Sequence, residues 1–189
     1  MSKILLEKWR DHCKVYRVLH SGAYEKFKKL DAKLRIPAII ITSLAAGLAF
    51  SVQAFPEMTK EYVPVFVGGL NLVAGTFVSI ASFHKTAEEK EGHRIAAVSF
   101  SKLRRKIIER LELHDKIPHE FVSSIREDLD VLIEGGPPIP LDVINLFAAT
   151  HQDTDLNMPS IVDIALGITK EDVIKCMEEG KMKGEDKKV

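Results

Sequence analysis

Residues 36–55 and 62–83 contain no Asp, Glu, Lys, Arg or His, and only Pro56-Glu57-Met58-Thr59-Lys60-Glu61 lies between them. As helices, stretches of 20 and 22 residues each cross the roughly 30 Å of a bilayer's hydrocarbon. The six-residue linker is too short to hold a domain. The pair therefore predicts one antiparallel hairpin inserted in a membrane, with the lipid bilayer as its first partner.

Charge is unevenly spread around this pair. Residues 1–35 hold ten Lys/Arg against four Asp/Glu, a balance of +6, and residues 84–117 hold nine against six, +3. Residues 118–189 hold seven against fifteen, −8, so a formal net charge of zero conceals a gradient. The linker carries one cation, Lys60, whereas Lys26, Lys28, Lys29, Lys33 and Arg35 precede the first stretch and Lys85, Lys90 and Arg94 follow the second. The positive-inside bias then places both termini in the cytosol and the linker on the far side. Lys28, Lys29, Lys33, Arg35 and Lys85 are positioned to meet anionic headgroups, at about 1 kcal/mol each. Lys3, Glu7, Lys8 and Arg10 leave no apolar core for a cleavable leader, so the hairpin is expected to act as its own insertion signal. Cys13 and Cys176 then face a reducing compartment without CxxC spacing, and neither a redox nor a metal role is expected of them.

Residues 3–34 read as one helix. Trp9, Cys13, Tyr16, His20, Ala23, Phe27, Leu30 and Leu34 recur at alternating spacings of four and three, a heptad seam that calls for a partner helix. Gly22 weakens the seam by about 1 kcal/mol relative to alanine. Pro37 is expected to start a new helix or kink a continuous one. Beyond the second stretch, His93, Ala96, Phe100, Leu103, Ile107 and Leu111 repeat the pattern. Only Gly92 interrupts residues 83–93, so a single helix about 78 Å long is expected over Tyr62–Leu113. The two seams, with Trp9, Tyr16, Phe27 and Leu30 on one and Phe100, Leu103 and Ile107 on the other, are expected to pair as an antiparallel stalk.

An acidic region follows. Phe121, Val122, Ile125, Leu129 and Leu132 stripe one helix, which Glu134-Gly135-Gly136 and Pro137-Pro138-Ile139-Pro140 terminate. A short helix is expected from Leu141 to about Ala149, and a last one behind a Thr169/Asp172 capping box. The expected fold class is all-α: an integral-membrane two-helix hairpin, a cytosolic antiparallel helical stalk and a small C-terminal helical region. The expected divisions are an N-terminal helix (1–35), the hairpin (36–83), a continuation helix (84–117), an acidic cap (118–179) and a flexible tail (180–189).

The stretches themselves carry the most telling residues. Ser43, Gly47 and Ser51 in the first, with Ala45 and Ala49 beside them, and Gly75 and Ser79 in the second, are small residues four apart. Lipid-embedded helices approach closely through such pairs, either within one hairpin or between copies. Asn71 is the strongly polar side chain well inside a stretch, and hydrogen bonding between helices is its expected role. The lack of intramembrane charge argues against a proton relay, voltage sensor or coupled transporter. His20 and His93 fall on the two seams, where they can face each other and titrate near pH 6.5, with ordinary packing as the competing reading. His114 and His119 lack metal spacing. Lys102, Arg104, Arg105 and Lys106 cluster without interleaved aromatics, which points away from nucleic acid. No Walker loop, HExxH, GxSxG or Gly-rich nucleotide fingerprint occurs. A non-enzymatic chain without cofactor or metal is expected.

The layout, a seam-bearing helix, a stretch opening Arg35-Ile36-Pro37, a tiny linker and a helix from His93-Arg94-Ile95-Ala96 to Leu103-Arg104-Arg105-Lys106-Ile107, resembles the SLATT class of two-transmembrane domains. The resemblance covers roughly residues 5–148. Leu132-Ile133-Glu134-Gly135-Gly136-Pro137-Pro138-Ile139-Pro140 is similar to the version found in large eukaryotic DNA viruses. Virus-type members imply a structural or scaffolding component, a minor capsid protein of the virion, joining an internal membrane to a protein layer. Homo-oligomers or capsid-type partners would then meet the acidic C-terminal region. Bacterial members imply an oligomeric pore-forming effector driven by a sensor domain, and nothing in this sequence reads as such a nucleotide-binding sensor. An adaptor that recruits a soluble partner is a further alternative.

Overall fold

A computed structural model describes residues 2–54, 56–113, 117–151 and 157–162, whose regular structure is helical throughout. The elements are α1 (Ser2–Phe50), a 3-10 turn (Val52–Ala54), α2 (Glu57–Lys60), α3 (Tyr62–Phe83), α4 (Thr86–Leu113), α5 (His119–Gly135) and α6 (Leu141–Thr150). The Thr169/Asp172 cap, Cys176, His114 and the tail lie outside the described residues. Two compact units result, one holding the residues up to Ala23 and from His93 onward, the other Tyr24–Gly92. The units therefore divide within α1 and α4, not at the edges of the apolar stretches.

In the first unit the two seams close on each other. Leu6, Cys13, Tyr16, Phe100, Leu103, Ile107, Ile125 and Leu129 form one core, with the Tyr16 and Phe100 rings stacked at 5.0 Å. Trp9 is half-buried at its edge, and Leu6 takes the inner place. A second core joins Val15 and Leu19 of α1 to Ile144, Phe147 and Ala148 of α6 and to Val162. So α1 buries two faces here, and the expected two-stranded stalk is a bundle that α5 and α6 complete. Gly22 marks one approach: a Cβ there would lie 3.0 Å from Val143 Cγ1. The acidic helix α5 also answers the basic cluster of α4, with Lys106 Nζ 2.8 Å from Asp128 Oδ2. Prolines set the starts of α5 and α6: Pro118 and Pro140 sit at the N-caps in extended backbone, where a missing N–H costs nothing.

In the second unit α1 continues unbroken through Pro37 to Phe50, short of the Phe55 expected from hydropathy. Its loss is one backbone hydrogen bond at the ring. Ala38, Ala45, Ala74 and Ala81 are buried, so both apolar helices bury alanines seven residues apart. Such small side chains let helix backbones come close. The expected unbroken helix over Tyr62–Leu113 is two helices. After Phe83 the Lys85 backbone turns to φ 47, and its N–H bonds Ser82 O at 3.0 Å while Glu89 N–H restarts α4 on Lys85 O at 2.9 Å. Neither proline nor glycine signals this break.

Candidate functional site: a buried clasp and a histidine pair

The second unit holds a clasp centred on Asp31, next in sequence to the seam residue Leu30. Asp31 is 7% exposed. Arg35 Nε donates to its Oδ1 at 2.7 Å, Thr86 Oγ1 donates to the same oxygen at 2.8 Å, and Lys90 Nζ donates to Oδ2 at 2.8 Å. The Lys90 bond, with Thr86 and Arg35 adding to it against the cost of burial, holds the carboxyl down at about 2. The turn at Lys85 explains how Thr86, fully buried, comes to face Asp31: an unbroken helix would set it at another angle. A buried carboxylate is tolerated only when its lone pairs are answered, as they are here. Chemically the arrangement is a tie between α1 and α4 just outside the apolar stretches.

The first unit brings His20 and His93 together, as their seam positions allow. Their Nδ1 atoms lie 2.9 Å apart, with His20 3% and His93 0% exposed. One Nδ1 must carry a proton and the other a lone pair, so the bond exists only while at least one ring is neutral. Burial, then the neighbouring His93, lowers His20 to about 4; burial lowers His93 as well. The His20 ring stacks on Phe100 at 5.5 Å. It also occupies the space beside Gly136, where a Cβ would stand 3.6 Å from His20 Cε1 and 3.0 Å from Leu132 O. Cys13, buried in the adjoining core, has its thiol pushed up to about 12 by burial, out of reach of thiolate chemistry.

The small residues singled out by spacing lie elsewhere. Ser43, Gly47, Ser51, Asn71, Gly75 and Ser79 are all exposed, and a Cβ at Gly47 or Gly75 would meet nothing within 4 Å. Ser43, Ser51 and Ser79 bond back to their own helix at Ile39 O, Gly47 O and Gly75 O. The buried small residues are alanines: Ala45, which the spacing names, is buried and its pair Ala49 is not, while Ala38, Ala74 and Ala81 stand outside the spaced pairs. Of the stalk residues, Tyr16, Phe100, Leu103 and Ile107 are buried, Trp9, Phe27 and Leu30 half-buried. Among the basic residues, Lys28 pairs with Glu25 at 3.3 Å, Arg35 is drawn into the clasp, Lys85 is 4.0 Å from Glu88, and Lys29 and Lys33 are exposed.

A groove of about 480 Å³ between α4 and α5 is lined by Lys102, Lys106, Glu127 and Asp128 among others, a mixed-charge surface with no convergent acid–base pair. Among the described residues no three His, Cys, Asp or Glu side chains are grouped to hold a metal. No family model, no curated protein and no solved structure matches this chain.

Proposed function

We propose that the chain is a membrane anchor: α1 and α3 insert as a hairpin through residues 36–54 and 62–83, and the helical bundle built on His20, His93 and the two cores is held at the cytosolic surface. One observation carries the reading. The apolar stretches bury almost only alanines, while Ile39, Leu44, Phe50, Val65, Phe66, Leu72 and Phe83 each expose 60% or more of their surface. Only 11% and 6% of the most apolar windows of these helices are buried. A core helix of a soluble protein hides such residues, and soluble monomers rarely expose apolar patches beyond a few hundred Å². Hydrocarbon is the solvent that fits them. The clasp suits the border: it pairs Arg35 and Lys90 with Asp31 beside the spans and carries no charge into them.

The role that follows is structural, a scaffold without catalysis, with both termini cytosolic. The SLATT resemblance extends it to an internal virion membrane beneath a capsid layer, and its pore-forming alternative demands assembly of several hairpins. The linker offers one tryptic site, Lys60, which makes topology simple to test. In sealed vesicles carrying the full chain, trypsin on the terminal side is expected to remove the bundle and leave the spans joined. Trypsin on the linker side is expected to cut once, at Lys60. Release of the chain by alkaline carbonate would overturn the anchor. Dye release from the same vesicles would replace the scaffold with the pore.

A further inference from the structure

We infer that α3 is the self-association face of the hairpin, and that a second copy of this chain supplies the hydrogen-bond partner of Asn71. The inference rests on the anchor reading and names the anchor's partner within the membrane. Asn71 is the tenth residue of the 22 in α3, roughly 2 Å from the helix midpoint at 1.5 Å per residue. Its side chain is exposed and makes no hydrogen bond to any other described residue. In water that would mean nothing. At the centre of a bilayer an amide with no partner costs several kcal/mol, because no water is there to take its place.

The chain's own hairpin does not supply that partner. Ala74 and Ala81 mark the buried face of α3. Gly68, Asn71, Gly75 and Ser79 lie together on a face rotated by roughly a third of a turn from it, at about 100° per residue. That second face is exposed, and added methyl groups at Gly68 and Gly75 would touch nothing. Backbones can therefore approach closely on both sides of the amide. Ser79 does not compete for it, since its hydroxyl is engaged with Gly75 O at 2.8 Å.

A second copy answers the need better than an unrelated helix, for a geometric reason. Every copy inserts with the same topology, so two α3 helices meet in parallel about a twofold axis normal to the bilayer. Equal depths then coincide and Asn71 meets Asn71. An amide carries both donor and acceptor, so the pair is self-complementary and closes as a dimer.

The test uses the full chain in liposomes, as donor- and acceptor-labelled copies diluted with lipid, with flotation read on the same samples. Energy transfer is expected for the native chain and to weaken by about 3- to 30-fold in association for Asn71→Leu, the range of hydrogen bonds between lipid-embedded helices. Asn71→Gln is expected to keep most of it, and Ile80→Leu, off this face, all of it. In a background lacking both cysteines, Gly75→Cys copies are expected to cross-link on oxidation and Ile80→Cys copies not. Undiminished association of Asn71→Leu overturns the inference. So does a native chain that floats with vesicles yet stays monomeric, the result that a partner of another kind would give. A chain that fails to float overturns the anchor reading as well, so the two failures are told apart.

Discussion

Asp31 shows how much one side chain can decide. Its carboxylate collects Arg35, Thr86 and Lys90, and removing it leaves a buried hydroxyl and two cations that must find water. Asp31→Ala is expected to cost about 2–3 kcal/mol, the scale of charge-assisted hydrogen bonds, read by denaturant unfolding in micelles. Because its folded pKa of about 2 lies below the ordinary 3.8, the clasp contributes fully above pH 3.8 and is lost as pH falls through about 2. The histidine pair acts in a higher window. His20 falls from 6.5 to about 4 on folding, so stability is complete above pH 6.5 and declines as pH falls toward 4, at about 1.4 kcal/mol per pH unit for each proton taken up. Replacing both rings, His20→Phe with His93→Leu, is expected to flatten stability over that window. A double variant that keeps the slope would show that other groups set it.

At the scale of elements, the break between α3 and α4 matters most. Lys85 holds a left-handed backbone, φ 47, which costs an L-residue roughly 1–2 kcal/mol. Lys85→Gly is expected to be neutral or up to about 1 kcal/mol stabilising, and Lys85→Ile to lose about 1–2 kcal/mol; thermal unfolding of the two variants checks this. The order of the two variants is the diagnostic, since a regular helix would rank glycine below isoleucine. Hydropathy and seam spacing ran straight through this position because a lysine gives no warning of a turn. The turn sets Thr86 against Asp31, 55 residues away from it on another helix, a contact no local spacing records. By contrast, of the new helix or kinked continuous helix that Pro37 offered, α1 takes the continuous course, since one lost hydrogen bond is a local cost that the rest of a long helix outweighs.

For the whole molecule, the helices of the first unit share two cores rather than one seam. Phe100, fully buried between Tyr16 and His20, is the residue on which both seams converge. Phe100→Ala is expected to cost about 3–5 kcal/mol, measurable as a lowered unfolding midpoint of the bundle. The charge gradient that suggested a distal acidic cap is partly consumed inside the unit, as Lys106 and Asp128 show. The carboxylates left over after this pairing are those that the proposed partner of the acidic region would meet.

Legible along the chain were the all-helical class, the two uncharged stretches, and the seam residues from Cys13 to Ala23 and from His93 to Ile107, which put His20 and His93 where they could meet. Each follows from a period along one chain, and periodicity is a local property. Tertiary structure alone decided the rest. Val15 and Leu19 became a second buried face because α6 covers them. Ala38, Ala74 and Ala81 joined Ala45 at the inner positions while the serines and glycines did not, because burial depends on which face another helix approaches. Asp31 became the centre of a clasp for the same reason: whether a lone acid is a solvated charge or a buried tie depends on what stands opposite it. No spacing along a single helix records that.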